Sequence, residues 1–217
     1  MGVPQKQEPQ KRAIKTRAKL LEHGARLFAK RGYAAVSVRE ICRAANANIA
    51  AVHYYFGDKQ GLYTEVLKDF FENDTKLYPY PVWEEAASPR TYLEEFIFTI
   101  LSRMHRSRKA GWHMQLMQRE IPFPSAPFQK FIERIVKHDF DVFRRALKAI
   151  NAQAPDETIN HAVLCVTGQM GAYTFHPPGF LRLCSSDLKY TEEECRNIAR
   201  SIVHFVVSGL QAVGDKS

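Results

Sequence analysis

The chain has 217 residues, 45% of them apolar, and a formal net charge of +8. That length and apolar content exclude whole-chain disorder and suit one ordinary domain, or a small module joined to a larger one. No apolar run approaches the roughly 20 residues of a bilayer span, so no membrane association is expected. The polar opening MGVPQKQEPQKR lacks the apolar centre of a secretory signal. The charge is uneven. Residues 1–59 hold 12 Lys/Arg against 4 Asp/Glu, and the other 158 hold 19 against 19. The whole excess therefore sits in the first quarter, as in a segment built to meet a polyanion. Cys42, Cys165, Cys184 and Cys195 are scattered without a C-x-x-C pair, which favours reduced thiols and a cytoplasmic setting.

Residues 1–12, with Pro4, Pro9 and three glutamines, read as a disordered basic arm. Helical periodicity runs from about Ala13 to Arg31, with Leu20, Gly24, Leu27 and Phe28 on one face, and Gly32 supplies a left-handed stop. Ser37 opens a short helix and Glu40, three residues on, completes a capping box. Val38, Ile41, Ala44 and Ala45 recur there at helical spacing. A turn at Asn46-Ala47-Asn48 leads to a second short helix that turns Ile49, Val52 and Phe56 inward and leaves Ala50, Ala51, His53, Tyr54 and Tyr55 mostly outward. Two short helices, a tight turn and a face of small and aromatic hydrogen-bonding residues are what a major-groove reader needs. Residues 13–57 are accordingly expected to form a helix-turn-helix domain. A connecting helix, 58–77, starts on Asp58 as N-cap and stops at Tyr78-Pro79-Tyr80-Pro81.

Every long segment of 78–217 keeps a period near 3.6, without strand alternation or an internal repeat, so an all-α fold is expected. Ser88 caps a helix whose first residue is Pro89. Further helices span about 111–120, 127–150 and the stretch after Pro155. Residues 176–189 read as irregular. Thr191 and Glu194 open the last helix as a second capping box. Gly168, Gly171 and Ala172 in one of the last two helices, and Ala199, Ile202, Phe205, Val206 and Gly209 in the other, suit the close packing of a two-fold four-helix bundle.

LLEHGARLFAKRGYAAVSVREICRAANANIAAVHYYFGDKQGLYTEVL, residues 20–67, resembles the TetR family of bacterial repressors. The likeness rests on Phe28, Gly32 and Tyr33, the Ser37-initiated helix, Tyr54-Tyr55-Phe56, Lys59 and Leu62. QREIPFPSAPF, 118–128, and HPPGFLRL, 176–183, resemble the CecR-like subgroup. The resemblance implies a three-helix DNA-binding head and a helical ligand-binding and dimerisation domain over 78–217. Many relatives open the reading helix with Gly or a Ser-Lys/Pro pair, where this chain has Ile49-Ala50-Ala51, and His53 replaces the usual Tyr. The role of the helix carries over; an operator sequence does not.

The DNA-binding candidates are Ser37, Arg39, Ala50, Ala51, His53, Tyr54, Tyr55 and Lys59. Arg39 stands where the family often places a base-reading arginine, and a guanidinium grips guanine O6 and N7 in bidentate fashion. Ser37 suits a phosphate at a helix N-terminus, besides its capping role. Ala50 and Ala51 admit close backbone approach and methyl contact with thymine, or serve helix propensity alone. His53, Tyr54 and Tyr55 cannot all face inward; Tyr54 is the firmest contact, while Tyr55 has a half-core alternative. Lys59 resembles the family's phosphate-clamping lysine. Lys11, Arg12, Lys15 and Arg17 suit the DNA backbone or minor groove.

For a small-molecule effector the candidates are Met104, Trp112, Met117, Phe128, Phe131 and Tyr173, a soft aromatic set, with Gln118, Arg119 and Glu120 as polar groups to orient it; a plain helical core, and for the polar groups a solvated turn or an internal ion pair, are the competing readings. His161 and Cys165 share a helix face but no third ligand matches, so no metal is expected. Walker, G-x-S-x-G and H-E-x-x-H motifs are absent, and neither catalysis nor a cofactor is expected. The expected protein is a homodimeric repressor that grips a near-palindromic operator in double-stranded DNA and is released by a small, mostly apolar ligand. The alternative is an architectural or weakly specific DNA-binding dimer without an effector ligand.

Overall fold

A computed structural model describes residues 7–83, 86, 88–109, 111–175, 183 and 188–214. The fold is all-α, and no strand occurs among the described residues. In chain order the helices are α1 (Gln7–Arg31), α2 (Val38–Ala45), α3 (Ile49–Phe56), α4 (Lys59–Leu77), α5 (Pro89–Lys109), α6 (Trp112–Glu120), α7 (Ala126–Ile150), α8 (Asp156–Phe175) and α9 (Glu192–Gly214). The arm's first six residues, HPPGFLR (176–182) and Cys184 lie outside the described residues.

Helix α1 begins at Gln7, ahead of the Ala13 expected from periodicity, so residues 7–12 are helical where a disordered arm is expected. Glu8, Gln10, Lys11 and Arg12 are good helix formers, and Pro9 falls in the first turn, where no amide donor is needed. Gly32 then turns the chain with φ +82°.

The chain divides into two compact units, Met1–Asn73 with Ala110–Glu133, and Asp74–Lys109 with Arg134–Ser217. In the first, α6 packs along α1, so a stretch expected to belong wholly to a C-terminal domain clusters with the head. Leu20, Phe28, Ile41, Val52, Leu62, Tyr63, Leu67, Leu116 and Phe128 make its core. The α3–α4 corner requires glycine at 61: a Cβ there would meet the Phe56 carbonyl oxygen at 1.9 Å. Asp58 Oδ1 accepts from the Gly61 amide at 2.8 Å, as expected of an N-cap.

The second unit is organised around Leu93, Phe96, Leu101, Phe143, Leu147, Val166, Ile202 and Val203. Phe96 lies edge-on to Phe143 at 5.3 Å and face-on to Tyr80 at 4.9 Å. Ser88 caps α5 through its hydroxyl, which accepts from the Thr91 amide at 3.1 Å. Thr191 and Glu194 make the reciprocal bonds of the second capping box at the start of α9.

Candidate nucleic-acid interface

The approach to α2 is a closed polar network. Ser37 is extended (φ −99°, ψ 152°) and its Oγ accepts from the Glu40 amide at 3.2 Å. The Ser37 amide and hydroxyl both donate to Glu40 Oε2, at 2.8 and 2.7 Å. Arg31 donates to Glu40 Oε1 at 2.5 Å and to the Ala35 carbonyl at 2.7 Å. The Arg31 hydrogen bond, followed by that of the Ser37 amide, holds the Glu40 carboxyl down to about 2. The Ser37 hydroxyl hydrogen is thus committed to Glu40. What Ser37 offers a phosphate is the helix N-terminus it opens.

The turn between the short helices depends on two asparagines. Asn46 takes the left-handed conformation at φ 50°, which Asn tolerates better than most residues. The Asn48 side chain accepts from the Ala50 amide at 3.0 Å and starts α3. On α2, Arg39 is exposed and has no ion pair among the described residues. On α3, Ala50 and His53 are exposed, Ala51 and Tyr55 are half-buried, and Tyr54 is 82% exposed. The Tyr54 and Tyr55 rings meet edge to face at 4.9 Å. His53 Nδ1 lies 2.8 Å from the Gly57 carbonyl. A carbonyl only accepts, so Nδ1 carries a hydrogen and Nε2 is left for another partner. One inward expectation is corrected: Ile49 is 38% exposed because it is the first residue of a short helix. On α2 the apolar spacing includes Ala44, which is exposed.

Lys59 is half-buried and folds back on the α1–α2 loop. Its Nζ donates to the Ala34 carbonyl at 3.4 Å and sits 4.4 Å from the Tyr33 ring centroid. Burial pushes its ammonium pKa down, and Glu40 partly opposes that shift. Burial, then Asp58, pushes the Tyr33 hydroxyl up. Arg17 pairs with Glu65 at 2.7 Å and lies 5.4 Å over the Phe56 ring, so it braces α3 against α1 and α4. Lys11, Arg12 and Lys15 are exposed. Neither the Arg17 brace nor the Arg31–Glu40 bridge is visible in the sequence, because each joins groups that only the fold brings together.

The effector candidates fall in both units. Trp112, Met117, Gln118, Arg119, Phe128 and Phe131 belong to the first, Met104 and Tyr173 to the second. Met117 and Phe128 are buried in the first unit's core, and Phe131 packs on Phe71 at 5.4 Å. Gln118 is exposed. Arg119 donates to the Lys30 carbonyl at 3.1 Å. Trp112 lines a cavity of about 320 Å³ together with Leu21, Ala25, Val66 and His113. Burial pushes the His113 imidazole down to about 4, so it is neutral near pH 7. In the second unit the Met104 sulfur accepts from Thr174, and the Tyr173 carbonyl accepts from the Tyr190 hydroxyl at 2.9 Å. Among the described residues, no group of three His, Cys, Asp or Glu could hold a metal ion, and no helix is long and apolar enough to cross a membrane.

Two short helices set by a capping box and an asparagine turn, with an exposed basic and aromatic surface, define a helix-turn-helix protein. Residues 20–66 match the family model of bacterial regulatory proteins, tetR family, and residues 89–213 match that of the C-terminal domain of the HTH-type transcriptional dual regulator CecR. The chain belongs to the TetR family of transcriptional regulators, with a C-terminal domain of the CecR type. That family regulates transcription by binding DNA, and the proteins matched are regulators, not enzymes. The chain is similar to the probable HTH-type transcriptional regulator YttP of Bacillus subtilis (strain 168), with 28% identity over 137 residues, 60% of this chain. It spans 62% of that relative's length. Among solved structures it is similar to AibR in complex with isovaleryl coenzyme A and operator DNA, at a TM-score of 0.59 and 20% identity over 88% of this chain and 97% of that one. It is also similar to the ketosteroid transcriptional regulator KstR2 of Mycobacterium tuberculosis, at 0.57 and 20% over 89% and 94%. At these identities the structural likeness concerns the fold alone.

Proposed function

We propose that the protein is a cytoplasmic homodimeric repressor that binds a near-palindromic operator and leaves it when a small, mostly apolar effector binds. The observation that carries this reading is the surface of α2 and α3. Arg39, Ala50, His53 and the 82% exposed Tyr54 stand there, in the quarter of the chain that holds the whole net charge of +8. Arg39 and the α3 residues read base edges, and Lys59 swings off Tyr33 to a phosphate.

A single short reading helix makes too few base contacts for a unique genomic address, and two-fold symmetry doubles them. Of the stripe expected to face a partner, Ala199, Ile202 and Val206 are instead buried in the second unit's own core, and the large apolar side chains that α8 and α9 leave exposed are Leu164 and Phe205, 59% and 70% exposed. Gly168 and Gly209 lie one turn from them, and a Cβ at either would meet nothing within 4 Å, which leaves room for a second copy to approach closely. An effector is supported by the second unit's core, where Thr99, Ser102, Arg103, His105 and Thr174 are buried among apolar residues. A small ligand that enters this core meets apolar side chains with a few polar groups to orient it. AibR is a structural neighbour holding isovaleryl coenzyme A.

Fluorescence anisotropy at fixed salt tests the reading, with a duplex that the wild type selects from a random pool and a scrambled duplex of equal length. A repressor prefers its site by about 10³-fold or more, whereas a ratio below about tenfold identifies an architectural or weakly specific DNA-binding dimer. Release from 99% to 1% occupancy then needs an effector preference of about 10⁴-fold, near 5.5 kcal/mol.

A further inference from the structure

Gln118-Arg119-Glu120 closes α6, and two of its three side chains turn toward the DNA-binding head. Glu120 is 2% exposed, and both of its oxygens are used. Oε1 accepts from the Tyr63 hydroxyl at 2.7 Å, and Oε2 accepts from the Ser125 amide at 2.7 Å. The carboxylate therefore fixes the α6–α7 corner to α4. Tyr63, fully buried, lies 4.9 Å from both Phe28 and Tyr33. Tyr33 in turn is the ring beneath the Lys59 ammonium. Arg119 reaches the same loop directly. Its guanidinium donates to the Lys30 carbonyl, and its Cδ would lie 3.2 Å from a Cβ at Gly32.

Both side chains thus bear on the segment that leads into Ser37 and α2: Arg119 through the Lys30 carbonyl in the last turn of α1 and its stem over Gly32, Glu120 through Tyr63, whose ring meets Tyr33. The geometry points to Arg119 and Glu120 as positioning residues for DNA reading, which set the angle at which α2 leaves α1 and hold Tyr33 where it seats Lys59. This rests on the assignment of Arg39, α3 and Lys59 to DNA, and it takes Arg119 out of the effector site. The physical requirement is rigidity. A loop fixed at its start by Arg119 and along its side by the Tyr63 ring, which a buried carboxylate holds in place, keeps few alternative conformations, so the two short helices meet a groove already in register.

Hydrogen exchange of the DNA-free protein and anisotropy with the selected and scrambled duplexes test the assignment together. Arg119→Ala is expected to speed exchange of the Val36–Ile41 amides by about tenfold while α8 amides keep their protection. It should weaken binding to the selected duplex about tenfold and to the scrambled duplex by no more than about twofold, because phosphate attraction does not need the register. Arg119→Lys keeps the stem over Gly32 and a donor for Lys30, and should restore most of the preference. Tyr63→Phe keeps the ring but removes the hydroxyl; its effect on exchange should be non-additive with that of Glu120→Gln, as for partners in one contact. Unchanged exchange in both Arg119→Ala and Tyr63→Phe would overturn the proposal. So would equal losses on the two duplexes, which mark a merely structural role. A wild type that prefers neither duplex defeats the reading of α3 as a sequence reader, and the exchange measurement still decides whether Arg119 and Glu120 hold the loop.

Discussion

In the first unit the corners are fixed by single atoms: the Ser37 hydroxyl on Glu40, the Asn48 side chain on the Ala50 amide, the missing Cβ of Gly61 beneath the Phe56 carbonyl. In the second unit a continuous apolar core surrounds Phe96 and Phe143, and its helices are held by area more than by points. The difference separates two kinds of sensitivity. A core contact withdrawn from the second unit lowers stability in proportion to the volume lost. A polar contact withdrawn from the first changes where a short helix points, with a smaller cost in stability.

The largest expected effect follows from that contrast. Phe96→Ala, at a position with no exposure and three aromatic neighbours, Tyr80, Tyr92 and Phe143, should destabilise the fold by about 3–5 kcal/mol in urea titration. A cost below about 1 kcal/mol would mean that the second unit is not held by its packing. Gly61→Ala sharpens the comparison from the other side. It should cost about 3 kcal/mol by forcing the α3–α4 corner open, and it should weaken operator binding by more than its stability loss explains. Retention of full affinity would show that the corner does not set the pose of α3.

The smallest effect is a pH dependence. The folded protein holds the Glu40 carboxyl at about 2, mainly through Arg31, against an ordinary value of 4.5. Its contribution is therefore complete above about 4.5 and is lost as pH falls toward about 2. Thermal unfolding of wild type and Glu40→Gln should diverge most above that window and converge below it. Parallel curves throughout would remove Glu40 from the account of the α2 cap.

The head was legible because its signals are local. Gly32, Ser37 with Glu40, and Asp58 each act within three or four residues of their partners, so spacing alone exposes them. The all-helical class followed from a period that persists across the chain. What escaped the sequence acts over distance. Glu120 finds Tyr63, 57 positions away, and this contact accompanies the grouping of α6 with the head. Arg119 looks like a polar residue beside an aromatic set until Lys30 is seen to receive it. Lys59 gives no hint in the sequence that it rests on Tyr33. Pro9 reads as a breaker, yet it sits in a first turn that tolerates it.

Hydroxyl-radical footprinting of the wild type on its selected duplex, beside Tyr54→Ala and Phe205→Glu, tests the central claim most directly. Two protected patches are expected on one side of the duplex, their centres about 34–36 Å apart or a multiple of that. Tyr54→Ala should lose both patches while staying dimeric, and Phe205→Glu should lose both because it no longer dimerises. A single patch, or protection that survives both substitutions, would contradict that claim.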